Sequence, residues 1–464
     1  MRADRKHKEG DLMPIKLEQK IKDFVHSQGV DVVGIAGPGR LDGPPSLDPT
    51  YYLKGARSII SMIIPMDSQA IYDFLGKKSP VPHWVDQVKK NQQMARISGY
   101  VAGYIQSLGY NAVAVHPNTN YRRHPYVYSV LPIFSHRFGA IATGIAGQGW
   151  SGNVMTEEYG GSTYIGTVVT DAVLESDPPR YAPRHFIDDF CSTCRVCDKT
   201  CASRMFRDDE EEYVLLNGAL HPRAKRRDLN LCAATCFGLH SLSPDKKWTT
   251  WAWRWNKKFM ETLADDITWL DAASELTIRA NTAGDSASRF KMIKAMSYEI
   301  IPEDILNEYL DKHPENMGQE EHEKALIAFA EKMGIKGLRD ELILTCGQCG
   351  LVCGPTLDEC AKRYQLLING GLVVRGPNGK MVNVPTYEEA VKIRELPKLS
   401  MWEILKDMAA TVYLFNRLYF GVEPKAMIQG IRYDRRLKKA VADRLGGHKD
   451  SAAASATPQI RQVA

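Results

Sequence analysis

At 464 residues the chain is long enough to bury a substantial core and to form two or more domains. Composition is that of an ordinary soluble globular protein, 44% hydrophobic and 25% charged. No apolar run approaches the roughly 20 residues that cross a bilayer, which excludes an integral membrane protein. A net charge of +5 is small for this length and gives little support to a nucleic-acid partner.

The opening MRADRKHKEGDLMPIKLEQ has neither the apolar stretch nor the twin arginine of an export signal. The expected location is therefore cytoplasmic, with peripheral membrane association left open. Residues 1–45 are read as an N-terminal segment and 46–185 as the first full domain. The pieces DVVGIAG, SIISMIIPM, NAVAVHP and YIGTVVTDAVL are short, apolar and β-branched, so they predict strands. Residues 84–108 predict a long helix that stops at Leu108-Gly109. The fold class expected is α+β with an α/β-type core.

Two cysteine runs follow. CSTCRVCDKTC places Cys191, Cys194, Cys197 and Cys201 at spacings of two, two and three, and CGQCGLVC places Cys346, Cys349 and Cys353. Zinc usually takes its four ligands as two separated pairs, and disulfides need an oxidising compartment. The first spacing is instead that of a bacterial ferredoxin, in which three thiolates serve one [4Fe-4S] cube and the fourth reaches a neighbouring cube. Two cubes need eight thiolates and the runs supply seven. RRDLNLCAATCFGLH offers Cys232 and Cys236 for the eighth, with Cys232 preferred. The same cross-over logic puts Cys191, Cys194 and Cys197 with Cys353 on one cube, and Cys201, Cys346, Cys349 and an intervening cysteine on the other. Cys360 is left over and reads as a small buried apolar residue. The ferredoxin-like domain is thus 186–240 together with 340–365.

Between the runs, 241–339 reads as a helical insertion. Trp248, Trp251, Trp253 and Trp255 crowd into WTTWAWRW, a stripe that anchors a helix in a core more often than it lines a cofactor. Residues 366–447 form a C-terminal region whose run RYDRRLKKAVADRLGGHK reads as a solvated helix face, with docking to an acidic ferredoxin or flavodoxin, or to nucleic acid, as the alternative. Residues 448–464 read as a disordered tail. There is no phosphate-binding G-x-x-x-x-G-K-[ST] loop and no dinucleotide fingerprint.

One stretch points past electron carriage. AIATGIAGQGWSGNVMTEEYGGSTYIGTVVTDAVLESDPP, closely followed by the ferredoxin run, resembles the cobalamin-dependent iron–sulphur reductases, the family of epoxyqueuosine reductases and reductive dehalogenases. The matching pieces are the turn Ala146-Gly147-Gln148-Gly149-Trp150, the turn Glu158-Tyr159-Gly160, and Thr170-Asp171-Ala172-Val173-Leu174. The intervening DLNLC also looks like that family's isolated cluster cysteine, which favours Cys232. The resemblance implies a corrinoid (cobalamin) beside two [4Fe-4S] clusters, and electrons from a reduced ferredoxin or flavodoxin. It also implies a small-molecule substrate. It assigns Gly147, Gly149, Trp150 and Gly152 to the corrinoid, since glycines allow close backbone approach to a large flat ligand.

The proton donor departs from the family. The dehalogenase tyrosine falls near Asn91 and its arginine at Tyr164, while the epoxyqueuosine reductase aspartate has no counterpart in YSVLPIFSHRFGA. The nearest titratable groups are Tyr128, His136, Arg137 and Tyr164. Tyr164 and His136 are the candidate catalytic residues, with a strand tyrosine and a structural histidine as the plain alternatives. Reductive dehalogenation leads, by family size and by the long insertion. Epoxyqueuosine reductase-like chemistry and a non-catalytic electron-transfer protein are the other two readings.

Overall fold

A computed structural model describes residues 15–115, 121–123, 130–132, 134–227, 232, 235, 242–251, 324, 328, 346–375, 381–393 and 424–451. The expected helical insertion, Cys236, Tyr128, Trp253, Trp255 and residues 452–464 lie outside these residues, apart from 242–251, 324 and 328 of the insertion.

The first part of the chain builds a sheet of four strands covered on both faces. Helix α1 (Leu17–Ser27) leads into β1 (Val32–Ala36), and β2 (Ser58–Pro65) follows after three single 3-10 turns. Helices α2 (Ser68–Leu75) and α3 (Val81–Ser107), strand β3 (Ala112–Val115), helix α4 (His136–Ala142) and strand β4 (Thr163–Thr170) complete this part. The strand order is β1-β2-β4-β3 and every pairing is antiparallel. The sheet is therefore of α+β type, and the α/β-type core expected from the sequence is corrected: no parallel crossover joins these strands. The sheet also takes β1 from within the span set aside as an N-terminal segment, so the domain begins before residue 46.

Burial explains the layering. Seven of the eight residues of β2 are buried, because both faces of the strand are covered. On one face Ile21 and Val25 of α1 and Met94, Ile97, Val101 and Ile105 of α3 meet Ile35, Ile60, Met62 and Val168. Their three- and four-residue spacing is the apolar stripe of a helix lying on a sheet. On the other face Ala140, Ile141 and Ala142 of α4 pack with Val32, Ile59, Ile63 and Val169. Each fully buried Ile contributes roughly 1.5–3 kcal/mol. Helix α3 starts with a proline in its first turn and stops before Gly109 at φ 93°, which matches the expected end.

Beyond the sheet, 187–199 forms short helical turns around the first cysteine run. A hairpin, β5 (Phe206–Leu216) and β6 (Ala219–Arg226), then occupies part of the span read as ferredoxin-like. The sequence reading missed it because FRDDEEEYVLL carries too many charges to read as a strand. After the second run comes α5 (Leu357–Ile368), capped by Thr356, which accepts from Glu359 N. Helix α6 (Pro424–Ser451) carries the basic run and extends into the segment expected to be a disordered tail. Its Tyr433 is buried against the hairpin and accepts from Leu215 N at 2.9 Å, so the run is a docked helix with one solvated face. No helix among the described residues is long and apolar enough to cross a membrane.

Candidate metal centre

The turn from Gly147 to Met155 and the turn from Thr156 to Gly160 form the floor on which both cysteine runs rest. Gly147-Gln148 pairs with Val154-Met155, and Trp150 N donates to Cys191 Sγ at 3.4 Å. From the same turn, Asn153 Nδ2 donates to Cys349 Sγ at 3.5 Å. In the next turn Gly160 has φ 61°, and a Cβ on it would collide with the Gly354 carbonyl. Gly161 N donates to Cys353 O at 3.0 Å. Ser162 Oγ bonds Gly350 O at 2.9 Å and Cys353 O at 3.2 Å, and buried Arg363 reaches Ser162 Oγ at 2.6 Å and Leu351 O at 3.0 Å. Glu359 neutralises Arg363 at 2.6 Å.

This docking brings distant cysteines together. Cys191, Cys194, Cys197 and Cys353 line one narrow cavity with Trp150 and Met155. Those four are the set expected for the first cube. Arg195, between Cys194 and Cys197, takes φ 47° and lays its guanidinium over the Trp150 ring, 3.3 Å from its centre. Cys201 and Cys349 pack against the same apolar cluster as Trp150 and Phe186, and Cys201 Sγ accepts from Met205 N at 3.3 Å. Cys346 is half-buried just before the short helix Gln348–Leu351 that carries Cys349, whereas Cys232 is exposed.

The thiols are tuned by their surroundings. Burial pushes Cys191 up to about 11 and drives Cys197, Cys201 and Cys353 upward as well. Cys194 moves the other way, downward, because the neighbouring Cys360 thiol favours its thiolate form. Cys360 is buried as expected, yet it also accepts from Gly354 N at 3.2 Å, so it belongs to the wall of the site.

The donor set fits an iron–sulphur cube. Among the described residues no three His, Cys, Asp or Glu side chains converge as a single ion requires. Four thiols spread around a cavity are what a cube needs, since each sulfur binds a different iron. The N–H···S contacts from Trp150, Asn153 and Met205 match the way proteins stabilise such clusters. The glycines assigned to the corrinoid do not show a comparable fit. The Cβ direction of Gly147 is filled by Phe186, that of Gly149 by Met155 and Asn153, and that of Gly152 by Arg226. Gly152 has φ 76° and Trp150 is 2% exposed. These residues shape the floor under the cysteines and leave no open cradle.

The two candidate proton donors are kept apart. Tyr164 projects to the α1–α3 face of β4 and is 9% exposed. Burial first, and then the charge of and a hydrogen bond to nearby Asp86, raise its pKa well above the usual value. His136 opens α4 on the opposite face, where its Nδ1 meets Thr167 Oγ1 at 2.9 Å. Arg137 is exposed. One substrate cannot meet both.

Sequence reasoning missed three groups. Asn153 and its contact to Cys349 carry no pattern signal. Asp86, 6% exposed on α3, is raised by burial to about 6 while it accepts from Asp67 N at 3.1 Å. Lys77 is buried beside Phe74 and Trp251, and burial lowers it to about 7. Trp248 and Trp251 are buried, which places this part of the tryptophan stripe in a core.

No family model matches the chain, and no curated protein matches it. Its neighbours among solved structures are reductive dehalogenases and epoxyqueuosine reductases. A catabolic reductive dehalogenase in complex with 3-bromo-4-hydroxybenzoic acid is similar at 18% identity and a TM-score of 0.35, over 47% of this chain and 28% of that one. An epoxyqueuosine reductase bound to an epoxyqueuosine-modified tRNA stem loop is similar at 14% identity and a TM-score of 0.35, over 91% and 99%. The Bacillus subtilis epoxyqueuosine reductase is similar at 15% identity and a TM-score of 0.30, over 76% and 99%. The chain thus spans little more than a quarter of the dehalogenase and nearly all of the epoxyqueuosine reductases.

Proposed function

We propose that this chain is an iron–sulphur oxidoreductase that takes electrons from a reduced ferredoxin or flavodoxin and delivers them to a small-molecule substrate. The observation that carries the reading is the cavity shared by Cys191, Cys194, Cys197 and Cys353. A cube bound there accepts and passes on one electron at a time. Cys201, Cys346 and Cys349, with Cys232 as the fourth ligand, would hold the second cube. The chain's own contribution is to hold thiolates by N–H groups, to wall the cavity from water with Trp150 and Met155, and to lock the second run onto the turn at 156–162 through Gly160, Ser162 and Arg363.

Cobalamin-dependent reductive dehalogenation is the substrate chemistry we assign, on the resemblance of residues 140–179. Epoxyqueuosine reductase-like reduction is the second reading, on the same stretch. The Cβ directions of the glycines assigned to the corrinoid are filled by the chain's own groups, so the resemblance alone supports this assignment.

Anaerobic reconstitution of the full chain tests this. About eight irons per chain, a two-cluster EPR spectrum and one bound corrinoid are expected. Halide release from haloaromatic and haloalkene panels, with reduced methyl viologen as donor, then selects dehalogenation. Iron without corrinoid would reduce the protein to an electron carrier, and material without iron rejects the reading altogether.

A further inference from the structure

At the end of the sheet away from the cysteine runs, α6 and the loop of residues 38–57 enclose a cleft of about 700 Å³, a volume usual for a small-molecule site. Arg57 directly precedes β2, and its N donates to the carbonyl of Thr170, the last residue of β4, at 2.8 Å. The cysteine runs dock at the other end, on the turn that leads into Thr163, so roughly 20 Å of strand separates the two places. Pro44, Pro45, Pro49 and Ala56 are buried and give the cleft apolar walls. Around them stand four arginines, Arg57, Arg432, Arg435 and Arg436, against two acids, Asp42 and Asp48.

Both acids are already engaged. Asp42 takes the Arg436 guanidinium through two bonds of 2.7 and 2.8 Å. Asp48 accepts from Thr50 N at 2.9 Å and from Gln429 Nε2 of α6 at 2.8 Å. Arg57, Arg432 and Arg435 are exposed and pair with no carboxylate among the described residues. Like charges gathered around one concavity repel one another and focus a positive potential into it. The frame that holds them is cross-braced: Tyr51 hydroxyl donates to Gln429 Oε1 at 3.1 Å, Leu215 N to Tyr433 hydroxyl at 2.9 Å, and Asn217 N to Asp42 O at 2.7 Å. Loop, helix and hairpin thus fix one another, which preorganises the cleft for an anion.

We propose that this cleft binds a small organic phosphate ester, with Arg57, Arg432 and Arg435 as its anion-binding residues. Four guanidinium groups against two carboxylates leave two positive charges, which match a phosphate monoester near its dianionic form better than a monocarboxylate. The planar N–H fork of arginine also suits phosphate oxygens. Inorganic phosphate would fill only a fraction of the cleft, and the proline and alanine wall offers the organic part an apolar face. Arg436, held by Asp42, serves as wall. A nucleic-acid backbone is the other anion that arginines take, but a bounded cleft with apolar walls favours a compact ligand over a strand. The site lies apart from the cysteines, so it stands independently of the iron–sulphur reading.

The test is titration calorimetry on the full chain, reconstituted anaerobically in phosphate-free buffer, with phenyl phosphate, inorganic phosphate and benzoate as probes. Phenyl phosphate should bind about 10-fold or more tighter than either of the others. Arg57→Ala and Arg432→Ala should each weaken it about 10-fold, and Arg432→Lys should restore only part of the loss. Iron content and thermal midpoint should stay those of the parent, because both side chains are exposed. Should either alanine variant fold poorly, Arg435→Gln supplies the same reading. Absence of phenyl phosphate binding overturns the proposal, as does binding that survives the double substitution Arg57→Ala with Arg432→Ala. Benzoate or inorganic phosphate binding as tightly as phenyl phosphate overturns it too. A short RNA duplex that binds through the same arginines while phenyl phosphate does not would assign them to nucleic acid instead. Phenyl phosphate binding by a parent protein that takes up no iron would reject the function proposed above and leave this site standing.

Discussion

The two cysteine groups differ in how completely the fold assembles them. Cys191, Cys194, Cys197 and Cys353 already surround one cavity, although the fourth comes from the far run. In the other group Cys201, Cys346 and Cys349 are half-buried, and Cys232 is exposed. The difference follows from what each group rests on. The first is backed by two tight turns: one donates Trp150 N to Cys191 Sγ, and the glycines of the other, Gly160 and Gly161, dock against Gly354 and Cys353. The second depends on 228–241, most of which lies outside the described residues.

The largest expected effect breaks the comparison at its root. Cys353→Ala should abolish turnover, halve the iron content and erase the same EPR signal that Cys194→Ala erases, because both thiols face one cavity. Cys346→Ala should erase the other signal. If Cys353→Ala instead removes the signal lost with Cys346→Ala, the sharing of ligands between the runs is wrong.

Next in size is Gly160→Ala. At φ 61°, with the Gly354 carbonyl where a Cβ would go, an alanine must displace the second run or distort the turn. A loss of roughly 2–4 kcal/mol in unfolding free energy is expected. Iron binding should weaken in the same variant. Denaturant unfolding of the iron-free protein separates the two effects, and a neutral result would show that the turn does not hold Cys353 in place.

Much of this scaffold was readable beforehand. Alternating β-branched runs located all four strands of the sheet, and ferredoxin spacing named the four thiols that meet in one cavity. Spacing named Cys191, Cys194 and Cys197 because one cluster constrains residues close in sequence, and the ferredoxin cross-over pattern supplied Cys353. The roles of Gly147, Gly149 and Gly152 were not readable, since a glycine needed for a ligand and one needed for a neighbouring side chain look the same in a sequence. Only the filled Cβ directions distinguish them. Lys77 and Asp86 escaped for a related reason: nothing local marks a charged residue as buried, and α2 and α3 bury them through contacts made by other segments.

A pH prediction probes the same hidden groups. Burial lowers His83 and His221 to about 4 in the folded chain, below the ordinary 6.5. As pH falls through that interval the unfolded chain takes up protons that the folded chain refuses. Stability should therefore be full above about pH 6.5 and decline toward pH 4, by on the order of 3 kcal/mol for each histidine. Asp86 acts in the opposite sense: its carboxyl is raised from 3.8 to about 6, so its burial penalty applies above that window and eases as pH falls through it. His83→Gln should flatten the acid limb of a urea-midpoint profile, and Asp86→Asn should steepen it. An unchanged profile in both variants would mean that neither group is buried as described.

The smallest expected effect decides between the two faces of the sheet. Tyr164 presents its hydroxyl to the α1–α3 layer and His136 stands on the α4 side, so a single substrate can draw a proton from only one of them. Tyr164 is nearly sealed from solvent and its pKa is raised, which leaves it a poor proton donor near neutral pH. Deleting the buried hydroxyl removes its desolvation penalty along with its interaction with Asp86, so Tyr164→Phe should change stability by no more than about 1 kcal/mol. Turnover in reduced methyl viologen should then stay within about 2-fold of the parent. A proton delivered by that hydroxyl would instead appear as a fall of roughly 10², and such a fall at unchanged iron content would move the substrate to the α3 face and make Asp86 the group that orients Tyr164.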